Sequence, residues 1–464
     1  MEYISTRGFG PVSFERTILD GLAPDGGLYV PTSYPKFPFD KMEELTYLSY
    51  EEVAEVVMSP FIGDSIPRET FRTMLKVAYA NFADEDVAPL NQLGDDTWLL
   101  ELYHGPTLAF KDIALQLLGQ MIDFTLEKNK LKATVIGATS GDTGPAAIEG
   151  LKHVENAKTF MLFPKNRTSA IQQRQMTTCS AKNVFPIAID GTFDDCQDIV
   201  KTLFNEEKFK EKVNATAINS ISWARVLPQV VYYFFAWSRL RTFIGDKRLS
   251  FSVPTGNFGD IYAGYVAMQC GLPIERLVIA NNSNDILTRF IQDGDYSMKS
   301  VQPTSSPSMD ILVASNFERF LFDLYGKMPE RTKSAMEDFR KSGSLEDISA
   351  LELEDARSIF EAYKASEIDV LKQMSSSDIL RQITIDPHTA VGMCAAEEKP
   401  HLRPMVVLST AHPAKFPTAV ERATGTIPLL PPHMEDLMDK EEIYETLPND
   451  SEVVKQYILD RYSA

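Results

Sequence analysis

Leu249-Ser-Phe-Ser-Val-Pro-Thr-Gly-Asn-Phe-Gly-Asp260 decides how this chain folds. Leu249 to Val253 is short and apolar and ends at a proline, the pattern of a buried strand. Two glycines follow, then a helical pattern that ends near Gly271. Strand, glycine turn and helix in that order form the repeating unit of an α/β fold. The unit recurs upstream. Ala133 to Ala138 runs into Thr139-Ser-Gly-Asp-Thr-Gly144 and a helix to Leu151. Thr159 to Phe163 runs into Pro-Lys-Asn-Arg-Thr and a helix from Ser169 to Thr177, and Val184 to Ile189 into Asp190-Gly-Thr192 and a helix from Phe193 to Phe204. Downstream, Arg276 to Ala280 leads to Asn281-Asn-Ser-Asn-Asp285, and Met405 to Leu408 leads to Ser409-Thr-Ala-His-Pro413. This rhythm predicts a mostly parallel sheet, whose ligands bind outside the carboxyl ends of the strands. Each polar or glycine-rich run falls at such an end, so the runs are expected to share one cleft.

The flanks read differently. Residues 1–95 contain two helical patterns, Ser49 to Met58 and Arg68 to Phe82, and are expected to form an N-terminal accessory domain. Residues 96–130 and 216–430 are assigned to a large domain and 131–215 to a small mobile one. Gln302-Pro-Thr-Ser-Ser-Pro-Ser308 is a breaker-rich connection. Residues 329–375 are charged and helical in pattern, expected as an exposed insertion, and 431–464 as a peripheral C-terminal tail.

A chain of 464 residues exceeds what one core normally organises. Its net charge of −19 argues against nucleic acid and anionic membrane as partners. An anionic ligand would need a locally cationic pocket or one built from backbone N–H groups. No apolar run has the length of a membrane span. Met1-Glu-Tyr-Ile-Ser-Thr-Arg7 lacks a basic-then-apolar signal, so a cytosolic location is expected. Cys179, Cys196, Cys270 and Cys394 are scattered, without metal-ligand spacing, and read as free thiols with no metal site.

Several residues carry chemistry. Lys111, in His104-Gly-Pro-Thr-Leu-Ala-Phe-Lys-Asp112, opens an apolar helical pattern beside Phe110. Partial drying there would favour its neutral form, which Schiff-base chemistry requires. Gly256, Asn257, Phe258, Gly259 and Asp260 form a turn whose N–H groups could hold a phosphate. Ser140, Gly141, Asp142 and Thr143 form a second such turn suited to a carboxylate, although Asp142 could simply cap its helix. Asn219, Ser220 and Arg225 place an amide, a hydroxyl and a guanidinium within two turns, an anion-recognition set that Lys165 and Arg167 could extend. His104, His388 and His412 lie near these runs. Thr410, at a strand end, offers a hydroxyl. Each feature has a structural alternative when read singly.

In this order the motifs resemble those of the threonine synthase family, pyridoxal-phosphate enzymes of the tryptophan-synthase-β fold type. The resemblance runs from Tyr3 to about Gly425, and Gly26-Gly-Leu-Tyr-Val-Pro31 resembles the family's long subclass. It implies two open, twisted, mostly parallel sheets flanked by helices, with the cofactor in the cleft between them. It implies that Lys111 bonds pyridoxal phosphate and then serves as the base. The Gly256–Asp260 backbone would hold the cofactor phosphate and Thr410 the pyridine nitrogen. Ser140 to Thr143 would hold the substrate carboxylate. Arg225, Asn219 and Ser220, with Lys165 or Arg167, would hold the substrate phosphate. The implied reaction turns O-phospho-L-homoserine and water into L-threonine and phosphate, in a monomer or dimer. Many relatives carry Asn where this chain has Asp142, which leaves the contact of that residue with the cofactor open. A threonine dehydratase, a β-replacing synthase, or a non-catalytic phosphate-binding relative are the alternatives.

Overall fold

The computed structural model describes residues 1–94, 96–216 and 220–463. Two sheets dominate. The larger runs in the order Phe360–Lys364, Ile274–Asn281, Leu249–Pro254, Met405–Ser409, Thr97–Glu101 and Leu90–Gly94. All neighbours are parallel except the last pair. The smaller runs in the order Glu445–Pro448, Val184–Asp190, Ala157–Pro164, Ala133–Ala138 and Ala215–Thr216, all parallel. Every residue of Leu249–Pro254 is buried, as a parallel strand covered on both faces must be.

The helix Trp223–Ile244 is apolar on all sides and buried along nearly its whole length. Such a helix belongs in the interior. It packs against Lys111–Asn129, Gly259–Gln269 and the N-terminal helix Tyr50–Ile62. Tyr3 and Phe61 pack on Trp223, so the N-terminal segment shares a core with the large sheet. The helix Lys111–Asn129 also touches Thr143–Leu151, the first helix of the small sheet. A Cβ on Gly119 would lie 1.9 Å from the Gly150 carbonyl oxygen, so these helices meet backbone to backbone.

Two expectations are corrected. The 329–375 segment does not stand apart: its Phe360–Lys364 is the edge strand of the large sheet, with Phe360 and Ala356 buried. The charge of the flanking helices hid one strand with an apolar face. The tail is not peripheral either. Glu445–Pro448 pairs with Val184–Asp190, and the helix Ser451–Ser463 puts Val454 and Ile458 into the small core with Ile187 and Cys196. Two apolar residues one helical turn apart in an acidic segment were enough to dock it.

Candidate active site

Lys111 is the first residue of its helix, and the loop before it is shaped around Asp112. The Thr107 N–H and hydroxyl donate to the two Asp112 carboxylate oxygens at 2.7 and 2.6 Å. A Cβ on Gly105 would lie 2.4 Å from the Asp112 Cβ, so the loop closes only over glycine. Burial pushes the Asp112 carboxyl up to about 6, against the Thr107 hydrogen bonds. The Lys111 side chain is 13% exposed. Burial pulls its amine down to about 8; Asp142 opposes this, while Arg225 and Lys415 add to it.

Asp142 caps nothing: its side chain makes no hydrogen bond to its own helix. It turns instead toward the large sheet. Lys415 Nζ donates to Oδ1 at 2.9 Å, and Ser308 Oγ donates to Oδ2 at 3.3 Å. Gln172, on the small-sheet side, donates to Oδ1 at 2.9 Å, and Lys111 Nζ stands 3.9 Å from Oδ2. Burial would raise this carboxyl, but Lys415, Lys111 and His388 outweigh it and hold it well below the usual carboxylate range. Lys415 is fully buried and also donates to the Thr107 carbonyl at 2.6 Å. The Asp142 carboxylate is thus a cross-link between the two sheets.

The turn after Leu249–Pro254, read in the sequence as a possible phosphate cradle, carries free backbone donors. The N–H groups of Gly256 to Asp260 take no partner among the described residues. They sit at the N-terminus of the helix Gly259–Gln269, where the dipole favours an anion. A Cβ on Gly256 would lie 2.8 Å from the Ser308 carbonyl. Phe258 adopts a left-handed backbone, φ 63°, held by burial of its ring among Phe317, Phe320 and Phe360. The Asn316 N–H and side chain both donate to the Asn257 carbonyl at 3.0 Å. The Asp260 side chain points away from the cradle, taking hydrogen bonds from Tyr232 and Tyr233. Burial raises its carboxyl to about 7, so no full charge faces an arriving phosphate. Asp260 therefore offers the turn its backbone N–H and not its side chain.

Arg225 is 4% exposed, and its Nε and Nη1 have no partner among the described residues. Burial pushes it down to about 10. A dry guanidinium with open donors beside Lys111 is able to take an anion. Ser220 links this run to the cradle: its hydroxyl meets Ser315 Oγ at 3.2 Å, and Ser315 donates to Asn257 Oδ1 at 3.1 Å. Asn219 lies outside the described residues. Thr410 is buried, and its carbonyl accepts from the Phe110 N–H at 2.9 Å, which brings it to the Lys111 turn. Thr139 shapes the Ser140–Thr143 turn by accepting from the Gly141 and Gly144 N–H groups at 3.2 and 3.1 Å. Ser140 is exposed and Thr143 half-buried. Lys165 and Arg167 are exposed at the end of the neighbouring strand Ala157–Pro164, with Arg167 facing Asp195. The structure does not bring them into the buried cluster.

Sequence reasoning missed Lys415, Ser308, Gln172 and Arg319. Lys415 follows Thr410-Ala-His-Pro-Ala directly and sits between Ala414 and Phe416, so its apolar flanks were the available signal. Ser308 hid in a stretch read as a connection. Asn282 clamps that stretch by donating to Thr304, Ser306 and Asp310, so the Asn281–Asp285 run is structural. Arg319, fully buried, donates to the Tyr29 carbonyl at 3.0 Å and also to the Ile221 carbonyl and Asn316, tying the N-terminal segment to the cradle. His388 holds Ser308: Nδ1 donates to Asp386 Oδ1 at 2.8 Å and Nε2 accepts from the Ser308 N–H at 3.2 Å. His104 pairs with Glu101 at 2.7 Å, and burial lowers His412 to about 4.

These residues fit pyridoxal phosphate. The open N–H groups of Gly256 to Asp260 would suit its phosphate and the lowered Lys111 its aldehyde.

Comparison with known proteins agrees with this geometry. Residues 2–79 match the family model "Threonine synthase N terminus", 85–411 "Pyridoxal-phosphate dependent enzyme", and 389–458 "Threonine synthase, C-terminal". The chain is 46% identical to a threonine synthase of Pseudomonas aeruginosa, covering 99% of this chain and 98% of that one. It is 42% identical to that of Corynebacterium glutamicum, with coverages of 99% and 98%. The solved structure of a pyridoxal-phosphate-bound threonine synthase from Brucella melitensis superposes with a TM-score of 0.97 at 46% identity, over 100% of both chains. The yeast threonine synthase structure gives 0.95 at 36% identity, over 100% of this chain and 99% of that one. With its N-terminal, cofactor and C-terminal segments all matched, the chain belongs to the threonine synthase family of pyridoxal-phosphate-dependent enzymes.

Proposed function

We propose that this chain converts O-phospho-L-homoserine and water into L-threonine and phosphate. The observation that carries this is Arg225, buried with open donors beside Lys111, which would take a second anion. An enzyme acting on serine or threonine has no phosphate for it to bind.

When bound, pyridoxal phosphate supplies the sink for the electrons left when Cα loses its proton. The Gly256–Asp260 backbone and Thr410 would hold it. The protein's own residues do the rest. Lys111, at about 8, takes a proton at working pH without needing a strong external base. It takes a proton from Cα and then one from Cβ; after phosphate has left, one proton returns to Cγ, water adds at Cβ, and one proton returns to Cα. The turn Ser140–Thr143 holds the substrate carboxylate. Arg225 with Asn219 and Ser220 binds the phosphate and stabilises the charge that grows as the Cγ–O bond breaks. Lys165 and Arg167, exposed at the end of the neighbouring strand, would steer the anion toward a chain whose overall charge repels it. Closure of the small sheet over substrate is part of this proposal; small-angle scattering with and without substrate analogue reads it. A small, diffusible substrate suits a cytosolic enzyme.

The test is specificity. Turnover of O-phospho-L-homoserine, with no deamination of threonine or serine at comparable rate, is the expected result. Turnover of threonine or serine alone would assign the site to a dehydratase or a β-replacing synthase.

A further inference from the structure

We infer that Lys415 is a positioning residue that holds Asp142 off Lys111 and so keeps Lys111 able to react; this rests on the function proposed above. The geometry is specific. Asp142 is the carboxylate nearest the reactive amine, yet its hydrogen bond goes to Lys415 at 2.9 Å, while Lys111 stands at 3.9 Å. Lys415 is fully buried and anchored at a second point, the Thr107 carbonyl, on the loop that leads to Lys111. Ser308 and Gln172 fix the remaining Asp142 positions from either side. A carboxylate left free beside a buried lysine would pair with it and lock it as an ammonium. Here that carboxylate is already engaged.

Lys415 therefore acts twice in one direction. It neutralises Asp142, and its own charge faces Lys111. The charged groups facing Lys111 are Asp142, Arg225, Lys415 and Asp112; those facing Asp142 are Lys415 and Lys111, with the titratable ring of His388 beside them. Removing Lys415 withdraws a repulsion and releases an attraction, and both changes favour the protonated form of Lys111. Removing the Asp142 charge does the opposite.

The test uses the full-length chain stripped of cofactor. Lys111 reactivity is read across pH 6–11 in two ways: trace acylation quantified at that residue by mass spectrometry, and the absorbance change as pyridoxal phosphate is added. Wild type is expected to show a midpoint at about 8. Lys415→Met should move it up by about one pH unit, and Asp142→Asn down by a similar amount, as neighbouring charges at this range do. A merely structural role for Lys415 would not produce shifts of opposite sign. Should Lys415→Met fail to fold, the comparison passes to Asp142→Asn against the double variant Lys415→Met/Asp142→Asn. The double variant should lie above Asp142→Asn. A midpoint unchanged or lowered by Lys415→Met, or a double variant no higher than Asp142→Asn, overturns the inference. No amino-acid substrate enters these measurements, so the result stands apart from the reaction assigned to the site.

Discussion

Arg225→Met should make the ligand-free protein more stable and the enzyme nearly inactive. The guanidinium is buried with open donors at Nε and Nη1, and its burial pushes it down to about 10. A displacement of that size puts the cost of keeping the charge dry at about 3 kcal/mol. Unmet buried donors, at about 1–3 kcal/mol each, lead to the same magnitude independently. Methionine removes the charge and keeps most of the length, at a packing cost of about 1 kcal/mol. The gain is then about 2 kcal/mol. With an unfolding entropy of about 2 cal/mol/K per residue, a chain this long should melt about 2 °C higher. Losing a charged hydrogen bond to a buried phosphate costs about 3–4 kcal/mol, so kcat/KM should fall by roughly 100- to 1000-fold. Melting curves with and without inorganic phosphate read both halves. Wild type should gain stability from phosphate and the variant should not. A variant that melts below wild type, or that phosphate still stabilises, would refute the assignment of Arg225 as an anion site.

Three further outcomes follow from the geometry. Gly256→Ala places a Cβ 2.8 Å from the Ser308 carbonyl and 3.2 Å from Met309 Cα, so the cradle must shift; cofactor affinity, followed by absorbance, should weaken by roughly tenfold or more. Asp260→Asn should raise stability at neutral pH and above. Burial holds the folded Asp260 carboxyl at about 7, above its unfolded value, so wild type loses stability as pH rises toward 7. The advantage of the variant should fade below pH 7 and vanish near pH 4, as read by chemical denaturation at several pH values. Val454→Asp buries a charge at a fully buried position of the small core, so it should cost about 3 kcal/mol or more and loosen hydrogen-exchange protection in Val184–Asp190.

Most of the parallel strands were legible because buried β-strands read as uninterrupted apolar runs followed by glycine or polar turns; Thr97–Glu101, parallel to Met405–Ser409, was not among them. Lys111, the Gly256–Asp260 turn and Arg225 were singled out on that basis, and the structure places Lys111 beside Arg225 and leaves the turn's N–H groups open. The edge strands Phe360–Lys364 and Glu445–Pro448 were not legible, because an edge needs only alternate apolar residues among charged ones. Lys415 was illegible for another reason. A buried lysine is recognisable only when its partner is known, and Asp142 lies on the other sheet, far away in the chain. Asp142 itself looked like a helix cap, since capping and cross-linking use the same residue at the same position. Ser308 and Arg319 depend on chain crossings that no local pattern records.

The most direct test of the central claim is turnover of O-phospho-L-homoserine in ¹⁸O-labelled water. Breaking the Cγ–O bond and adding water at Cβ places one labelled oxygen in the threonine hydroxyl and none in the released phosphate. Lys111→Ala should abolish both products. Label in the phosphate, with homoserine instead of threonine, would show simple phosphate-ester hydrolysis and contradict the account.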